Sequence, residues 1–254
     1  MNLLGIDLET TGLNPDKDKI IEIGYVLWDW QRSMPLRVVN DFVMPDSDFE
    51  VTEEITELTG IRKDDLIGHH AGNVSQYLTD MLNEFDSDHI EYVVAHNKDF
   101  EQSFLEPYCE SDPYLNQLFN IPWICTMNDI PYPDSIKSKS LNYLAMEHGF
   151  INPFKHRGVF DVLTGFKVMS NYDFGNILEY RDSPLFDVVS YVPYERREEA
   201  KKAGFRWDAD RKVWHYPIRK IRLESKDSTC KKGYHQKWEH LNVKIFDENG
   251  KRYD

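Results

Sequence analysis

Two acids, Asp7 and Glu9, stand two residues apart at the end of the run Asn2-Leu3-Leu4-Gly5-Ile6-Asp7-Leu8. So short an apolar run reads as a strand buried on both faces, and the two-residue repeat of a strand sends both carboxylates to one face. Carboxylates held together repel, and burying them costs free energy unless a cation joins them. Lys17 is the first basic side chain after them, so a divalent metal is the natural partner, and oxygen ligands favour Mg²⁺ or Mn²⁺ over zinc. The competing reading is a solvated pair of strand-end acids, because Asp-x-Glu is common.

A second constellation lies near the C-terminus, where Trp207, Trp214 and Tyr216 are interleaved with Arg206, Arg211 and Lys212 between Phe205 and Pro217. These rings either stack on single-stranded bases while the cations meet phosphates, or form the small core of a module with little else to bury. Both hold if some rings face inward and others outward.

The elements that must position these residues are readable from pattern. Lys19–Trp30 and Leu36–Met44 are rich in β-formers and follow the first strand through short links, as in an antiparallel meander. Val74, Tyr77, Leu78, Met81, Leu82 and Phe85 recur at helical spacing, with Asn73 as the candidate N-cap. Tyr92–Ala95 and Pro122–Cys125 read as short strands, and Phe100–Tyr108, Ser140–His148 and Val159–Met169 as helices, the middle one stopped by Gly149. Towards the C-terminus, Val188–Val192 reads as a strand, Tyr194–Ala203 as a helix and Phe205–Pro217 as a hairpin with an acidic turn, with a further hairpin around Glu248-Asn249-Gly250. An antiparallel start followed by alternating strands and helices implies an α/β fold with a mixed sheet.

With these residues in order, the chain resembles the DnaQ-like DEDDh exonucleases. Asp7-Leu8-Glu9-Thr10-Thr11-Gly12-Leu13 is similar to their first motif, and Ile20-Ile21-Glu22-Ile23-Gly24 to their second strand. Val94-Ala95-His96-Asn97-Lys98-Asp99-Phe100 with Phe104-Leu105 resembles the second motif, and His156-Arg157-Gly158-Val159-Phe160-Asp161 the third, preceded by the helix Ser140–Ala145. The resemblance covers roughly residues 1–172 and implies a ribonuclease H-like mixed β-sheet flanked by helices. It also implies two-metal phosphodiester hydrolysis from the 3′ end, releasing nucleoside 5′-monophosphates. Asp7 would bridge both ions, Glu9 and Asp161 would hold one, the second-motif acid would support the other, and His156 would act as base. For that acid two residues compete: Glu101 by motif register and Asp99 by residue type. Gly158 stands where the family more usually has Ala, a change expected to matter little. The resemblance further implies that Thr10, Thr11, Gly12 and Leu13 meet the terminal nucleotide and that Asn97, Phe100 and Phe104 line the same groove, although plain core packing competes for the two Phe residues.

Residues 1–185 carry 13 Lys and Arg against 32 Asp and Glu, whereas residues 186–254 carry 17 against 12, within a net charge of −14. Charge reversal and the Ser183-Pro184 break divide the chain into a domain at 1–183 and a small basic, aromatic-rich α+β module at 187–254. The module resembles one appended to phage and plasmid DNA-processing proteins. No apolar stretch is long enough to span a bilayer, and the N-terminus lacks the basic region of a signal peptide. The three cysteines, Cys109, Cys125 and Cys230, fall in no Cys-x-x-Cys spacing, which points to reduced thiols in a cytoplasm; the resemblances imply a bacterial or phage-encoded protein. The expected partner is nucleic acid, with DNA favoured as single strands or frayed 3′ ends. The alternatives are RNA trimming and a proofreading subunit joined to a polymerase or another replication or repair protein. The complete acid set argues against a non-catalytic adaptor. Deleting residues 187–254 is expected to weaken polynucleotide binding more than hydrolysis of a short model ester, as measured by KM on a long oligonucleotide against turnover of the ester; equal losses would refute a binding role for the module.

Overall fold

The computed structural model describes residues 1–45, 48–67, 74–85, 89–224 and 238–253. The chain divides into two compact units, Met1–Phe174 and Gly175–Asp254. The expected N-cap Asn73 and the cysteine Cys230 lie outside the described residues.

The first unit contains, in chain order, β1 (Asn2–Thr10), β2 (Ile20–Asp29), β3 (Met34–Phe42), α1 (Glu53–Thr59), α2 (Lys63–Leu66), α3 (Val74–Phe85), β4 (Ile90–Ala95), α4 (Lys98–Glu110), α5 (Gln117–Asn120), β5 (Trp123–Cys125), α6 (Leu141–Glu147) and α7 (Gly158–Met169). The strands form one mixed sheet in the order β3-β2-β1-β4-β5. β1, β2 and β3 are an antiparallel meander, while β4 and β5 run parallel to β1. This is the mixed sheet that the sequence pattern implies, in the ribonuclease H-like architecture that the family resemblance implies. β1 is central and flanked on both edges, which is why its apolar run is nearly continuous: Leu3, Leu4, Ile6 and Leu8 are all buried. One layer of the core joins β1, β2 and β4 to α3 and α4 through Leu78, Met81, Leu82, Phe104 and Leu105.

The other layer is α7, a helix buried over most of its surface. It reaches the sheet through glycines. A Cβ on Gly24 would lie 2.2 Å from the Val159 amide nitrogen, and one on Gly158 would lie 2.8 Å from the Gly24 nitrogen. The backbones of β2 and α7 therefore touch, and Gly158 is not a neutral replacement for Ala: a methyl group there would press into β2. Farther along, a Cβ on Gly5 would fall 2.3 Å from Val162 Cγ1, and Phe166 stacks on Trp28 with ring centroids 5.0 Å apart.

The second unit contains α8 (Phe174–Asp182, its first residue falling in the first unit), β6 (Leu185–Ser190), α9 (Arg197–Lys202), β7 (Arg206–Asp208), β8 (Val213–Arg219), α10 (Lys220–Glu224) and β9 (Val243–Phe246). Its sheet runs β7-β8-β6-β9, with neighbours antiparallel. One face packs on Ala200, Phe205, Leu223, Trp238 and Leu241. The expected hairpin is β7–β8, turning at Ala209–Lys212, where Lys212 adopts φ 53°. Trp214 belongs to this unit's buried core, so its expected contact with bases gives way to packing. Its cross-strand neighbour Trp207, on the edge strand, stays 51% exposed. No helix among the described residues is long and apolar enough to cross a membrane.

Two substitutions separate backbone contact from helix propensity. Gly24→Ala should cost about 3 kcal/mol in urea unfolding, the upper range of overpacking, because the obstructing atoms are backbone. Gly165→Ala, whose Cβ would meet only Thr126 at 3.8 Å, should instead gain up to about 1 kcal/mol from helix propensity.

Candidate active site

β1 ends beside the N-terminus of α7, and the first-turn residue Asp161 is thereby carried to Asp7 and Glu9. Ligand atoms of Glu9, His156 and Asp161 lie within 4.8 Å of one another. From the other side α4 contributes Glu101, a buried residue whose carboxylate is the strongest charged neighbour of Asp7. Asp99 and Glu101 are two residues apart on one helix, about 200° around its axis, so only one of them can face β1. That one is Glu101; Asp99 is exposed and is not among the charges acting on Asp7. The expectation of Asp99 as an inward ligand is corrected on this ground.

Electrostatics follow from the crowding. Burial, then repulsion from Glu101, Glu9, Asp161 and Glu22, holds the Asp7 carboxyl well above the usual carboxylate range. Burial followed by Glu22 and Asp161 pushes Glu9 up to about 8, against a lowering by Arg157. Burial pushes Glu101 up to about 8 as well, with Glu9 and Asp99 adding repulsion. Asp161 rises to about 6 through burial, restrained by hydrogen bonds from the His156 amide and the Asn152 side chain. His156 moves the other way: burial, with Lys155 nearby, lowers its pKa and leaves the imidazole neutral at pH 7.

The frame around Asp161 was not foreseen. Glu22 is fully buried in β2; its Oε1 accepts from Arg157 Nε at 3.0 Å and Nη2 at 2.8 Å, and its Oε2 from the Gly158 amide at 2.9 Å. Asn40 Oδ1 on β3 accepts from the Val159 amide at 2.9 Å. The N-terminus of α7 is therefore capped by two neighbouring strands, while its own N-cap residue, Arg157, makes no side-chain cap. Asp161 is gripped in turn: Asn152 Nδ2 donates to Oδ1 at 2.5 Å and the His156 amide to Oδ2 at 3.0 Å. The latter bond is made with His156 at φ 58°, a left-handed conformation that costs a non-glycine residue free energy. One sequence signal for Glu22 existed: a single acid inside the apolar run Ile20–Ile23 needs a buried partner.

The other expected contacts divide. Thr10 and Thr11 hold the β1–β2 loop together: the Thr10 hydroxyl donates to the Gly12 carbonyl and the Thr11 hydroxyl accepts from the Lys19 amide at 2.9 Å. Gly12 lies against the Asp18 carboxylate, and Leu13 projects 84% exposed beyond it. Asn97 is exposed at the start of α4 and Phe100 is half-buried, but Phe104 is a core residue and so cannot line a groove. In the second unit, Arg206 is exposed, while Arg211 is tied to Asp208 and Asp187.

Fold and acid cluster together define a nuclease of ribonuclease H-like architecture. The chain belongs to the exonuclease family, whose model, described as "Exonuclease", matches residues 4–169. A domain of unknown function matches residues 191–223. The PolC-type DNA polymerase III of Thermotoga maritima is 30% identical over 156 residues, and that of Thermotoga petrophila 28% over 160; each match takes in 61% of this chain and 10% of the polymerase. Among solved structures, the nuclease domain of 3′hExo, titled a DEDDh family member bound to rAMP, superposes with TM-score 0.54 at 19% identity, covering 67% of this chain and 90% of that one. E. coli Exonuclease I in complex with a dT13 oligonucleotide superposes with TM-score 0.57 at 14% identity, covering 74% and 48%.

The donor set suits divalent cations. It is mainly carboxylate oxygen, its acids are raised by mutual repulsion, and Glu101 Oε2 is buried without a hydrogen-bond partner. Arg157, the cation that acts on Glu9, is already bound by Glu22.

Two predictions follow from this geometry. Glu9 and Glu101 titrate near 8 when folded and near 4.3 when unfolded, so between those values the folded state binds more protons. In EDTA, stability should therefore fall as pH rises from about 4 to about 8, read as a falling urea midpoint; a rising midpoint would contradict the burial. Arg157→Ala, which leaves Glu22 buried and unpaired, should cost about 3 kcal/mol and lower activity by loosening the start of α7.

Proposed function

We propose that the chain is a divalent-metal-dependent 3′–5′ exonuclease that removes nucleoside 5′-monophosphates from single-stranded or frayed DNA. The observation that carries this reading is the packing of Asp7 among Glu9, Glu101 and Asp161 with a neutral imidazole, His156, at the same place. Asp7, Glu9, Glu101 and Asp161 would hold two Mg²⁺ or Mn²⁺ ions. The ions would supply the positive charge that stabilises the attacking and leaving oxygens of a phosphodiester displacement. The protein's own groups do the rest. His156 takes the proton from the attacking water through a ring nitrogen, which its lowered pKa keeps free at neutral pH. Asn152 and the His156 amide keep the Asp161 carboxylate from turning away from the cluster. Thr10, Thr11, Gly12 and Leu13 would meet the terminal nucleotide, and Asn97 and Phe100, at the start of α4, would line the same groove. Arg206 and Trp207 of the second unit offer a cation and an exposed ring to the strand.

DNA is favoured by the PolC-type DNA polymerase relatives. The same likeness supports a second reading, in which the chain proofreads beside a polymerase. RNA enters because solved 3′-exonucleases of the same fold are titled with rAMP and a histone mRNA stem-loop.

The test is a 5′-labelled single strand, as DNA and as RNA, with Mg²⁺ or Mn²⁺ and with EDTA. A metal-dependent ladder shortening from the 3′ end is expected, faster on DNA. Glu101→Gln should reduce the rate by about 100-fold or more, the scale of losing one electrostatic stabiliser, and Asp99→Asn by less than threefold, on the order of a peripheral charge. The opposite ranking would restore Asp99 as the ligand, and an unchanged strand with metal present would sink the nuclease reading.

A further inference from the structure

Two phenylalanines in the segment that carries Asn152, His156 and Asp161 are exposed. Phe154 is 56% exposed and Phe160 38% exposed, and their rings touch with centroids 4.7 Å apart and planes tilted by 44°. Ile151, in the same segment, is 77% exposed. Exposed aromatic surface of this kind is unfavourable in water and marks a contact site when it lies beside a functional centre.

The pair is also fixed to the chemistry. Phe160 precedes Asp161 in the first turn of α7, and the Phe154 amide donates to Asn152 Oδ1 at 3.0 Å while the same Asn152 donates to Asp161 Oδ1 at 2.5 Å. A ligand seated on these rings is therefore held at a set distance from the carboxylates. Lys155, exposed between Phe154 and His156, adds a positive charge at the same edge.

We infer that the Phe154–Phe160 pair is a stacking platform for one unpaired nucleobase of the substrate strand. The inference rests on the exonuclease reading above. The chemistry selects a base over other occupants: two touching aromatic rings carry no charge or hydrogen-bonding group for a phosphate or sugar, whereas a base offers a neutral π face that matches an aromatic ring. Stacking tolerates any base, which suits an enzyme that must move through sequence. It also requires an open base face, which a strand has when single or frayed but not inside a duplex, so the platform contributes to choosing unpaired ends.

The experiment pairs residue deletion with base deletion. KM and kcat are measured for the wild type, Phe154→Ala and Phe160→Ala on a single-stranded DNA in which an abasic residue is placed in turn at each position near the 3′ end. Phe154→Trp, which keeps a ring, is the second variant, and Tm is followed for all. In the wild type, one abasic position should raise KM by about 5- to 100-fold, the range of a single base–aromatic stack. Phe154→Ala should show a similar rise on the intact strand and no further rise at that abasic position, with kcat and Tm unchanged, and Phe154→Trp should behave as wild type. An unchanged KM in both Ala variants, or a full response to every abasic position in Phe154→Ala, would overturn the platform while leaving the exonuclease reading intact. A wild type that shortens no strand would overturn both.

Discussion

Four carboxylates cannot share a buried corner without help, and much of the first unit is organised around supplying it. Asp7 and Glu9 come from β1, Glu101 from α4 and Asp161 from α7, each raised above the ordinary range by burial first and then by neighbouring acids, Glu22 among them. The cost of that repulsion is borne by packing elsewhere. Backbone contact between Gly24 and Gly158 brings α7 against β2, the Glu22–Arg157 pair and the Gly158 amide lock its first turn, and Asn40 caps the next amide. These interactions do not touch substrate. They make the acids converge even though separation would relieve them, and they leave a charge deficit that a divalent cation can fill.

The second unit solves a different problem, that of a short segment with few apolar residues. Its core joins aliphatic residues of the sheet to a group of touching rings: Phe205 meets Trp238 edge-on at 5.4 Å, Tyr216 lies 5.0 Å from Trp238, and Trp214 is buried. On the edge strand, Trp207 stays exposed. The two readings of this segment's aromatics are therefore both realised within one cross-strand pair: Trp214 is buried, and the ring of Trp207 meets it edge-on at 5.3 Å while staying half exposed. Charge is likewise partly spent internally, since Arg211 answers Asp187 and Asp208, and Arg196 answers Glu199.

Local periodicity made the elements legible, and the resemblance to DEDDh exonucleases pointed to the acids they carry. The two-residue repeat placed Asp7 and Glu9 on one face, the apolar continuity of β1 marked it as buried on both faces, and Val159–Met169 read as the helix that is α7. What could not be read was long-range. Glu22 and Arg157 are 135 residues apart, and no periodicity links them. The choice between Asp99 and Glu101 needed the rotation of α4 relative to β1, which motif register and residue type answered differently. Gly158 looked interchangeable with Ala because the backbone it meets belongs to another strand. Phe104 and Trp214 carry the residue types of nucleic-acid contacts, but the face each occupies is set by tertiary packing.

The central claim is that repulsion among these acids is relieved by a divalent cation. The most direct measurement is Tm at pH 8 for the wild type and Asp7→Asn, each with EDTA and with Mn²⁺. Asn keeps the shape of Asp while removing the charge at the centre of the cluster. The account predicts that Asp7→Asn starts above the wild type in EDTA, that Mn²⁺ raises the wild type strongly, and that the variant gains little. A wild type indifferent to Mn²⁺, or a variant that starts below it in EDTA, would contradict the account.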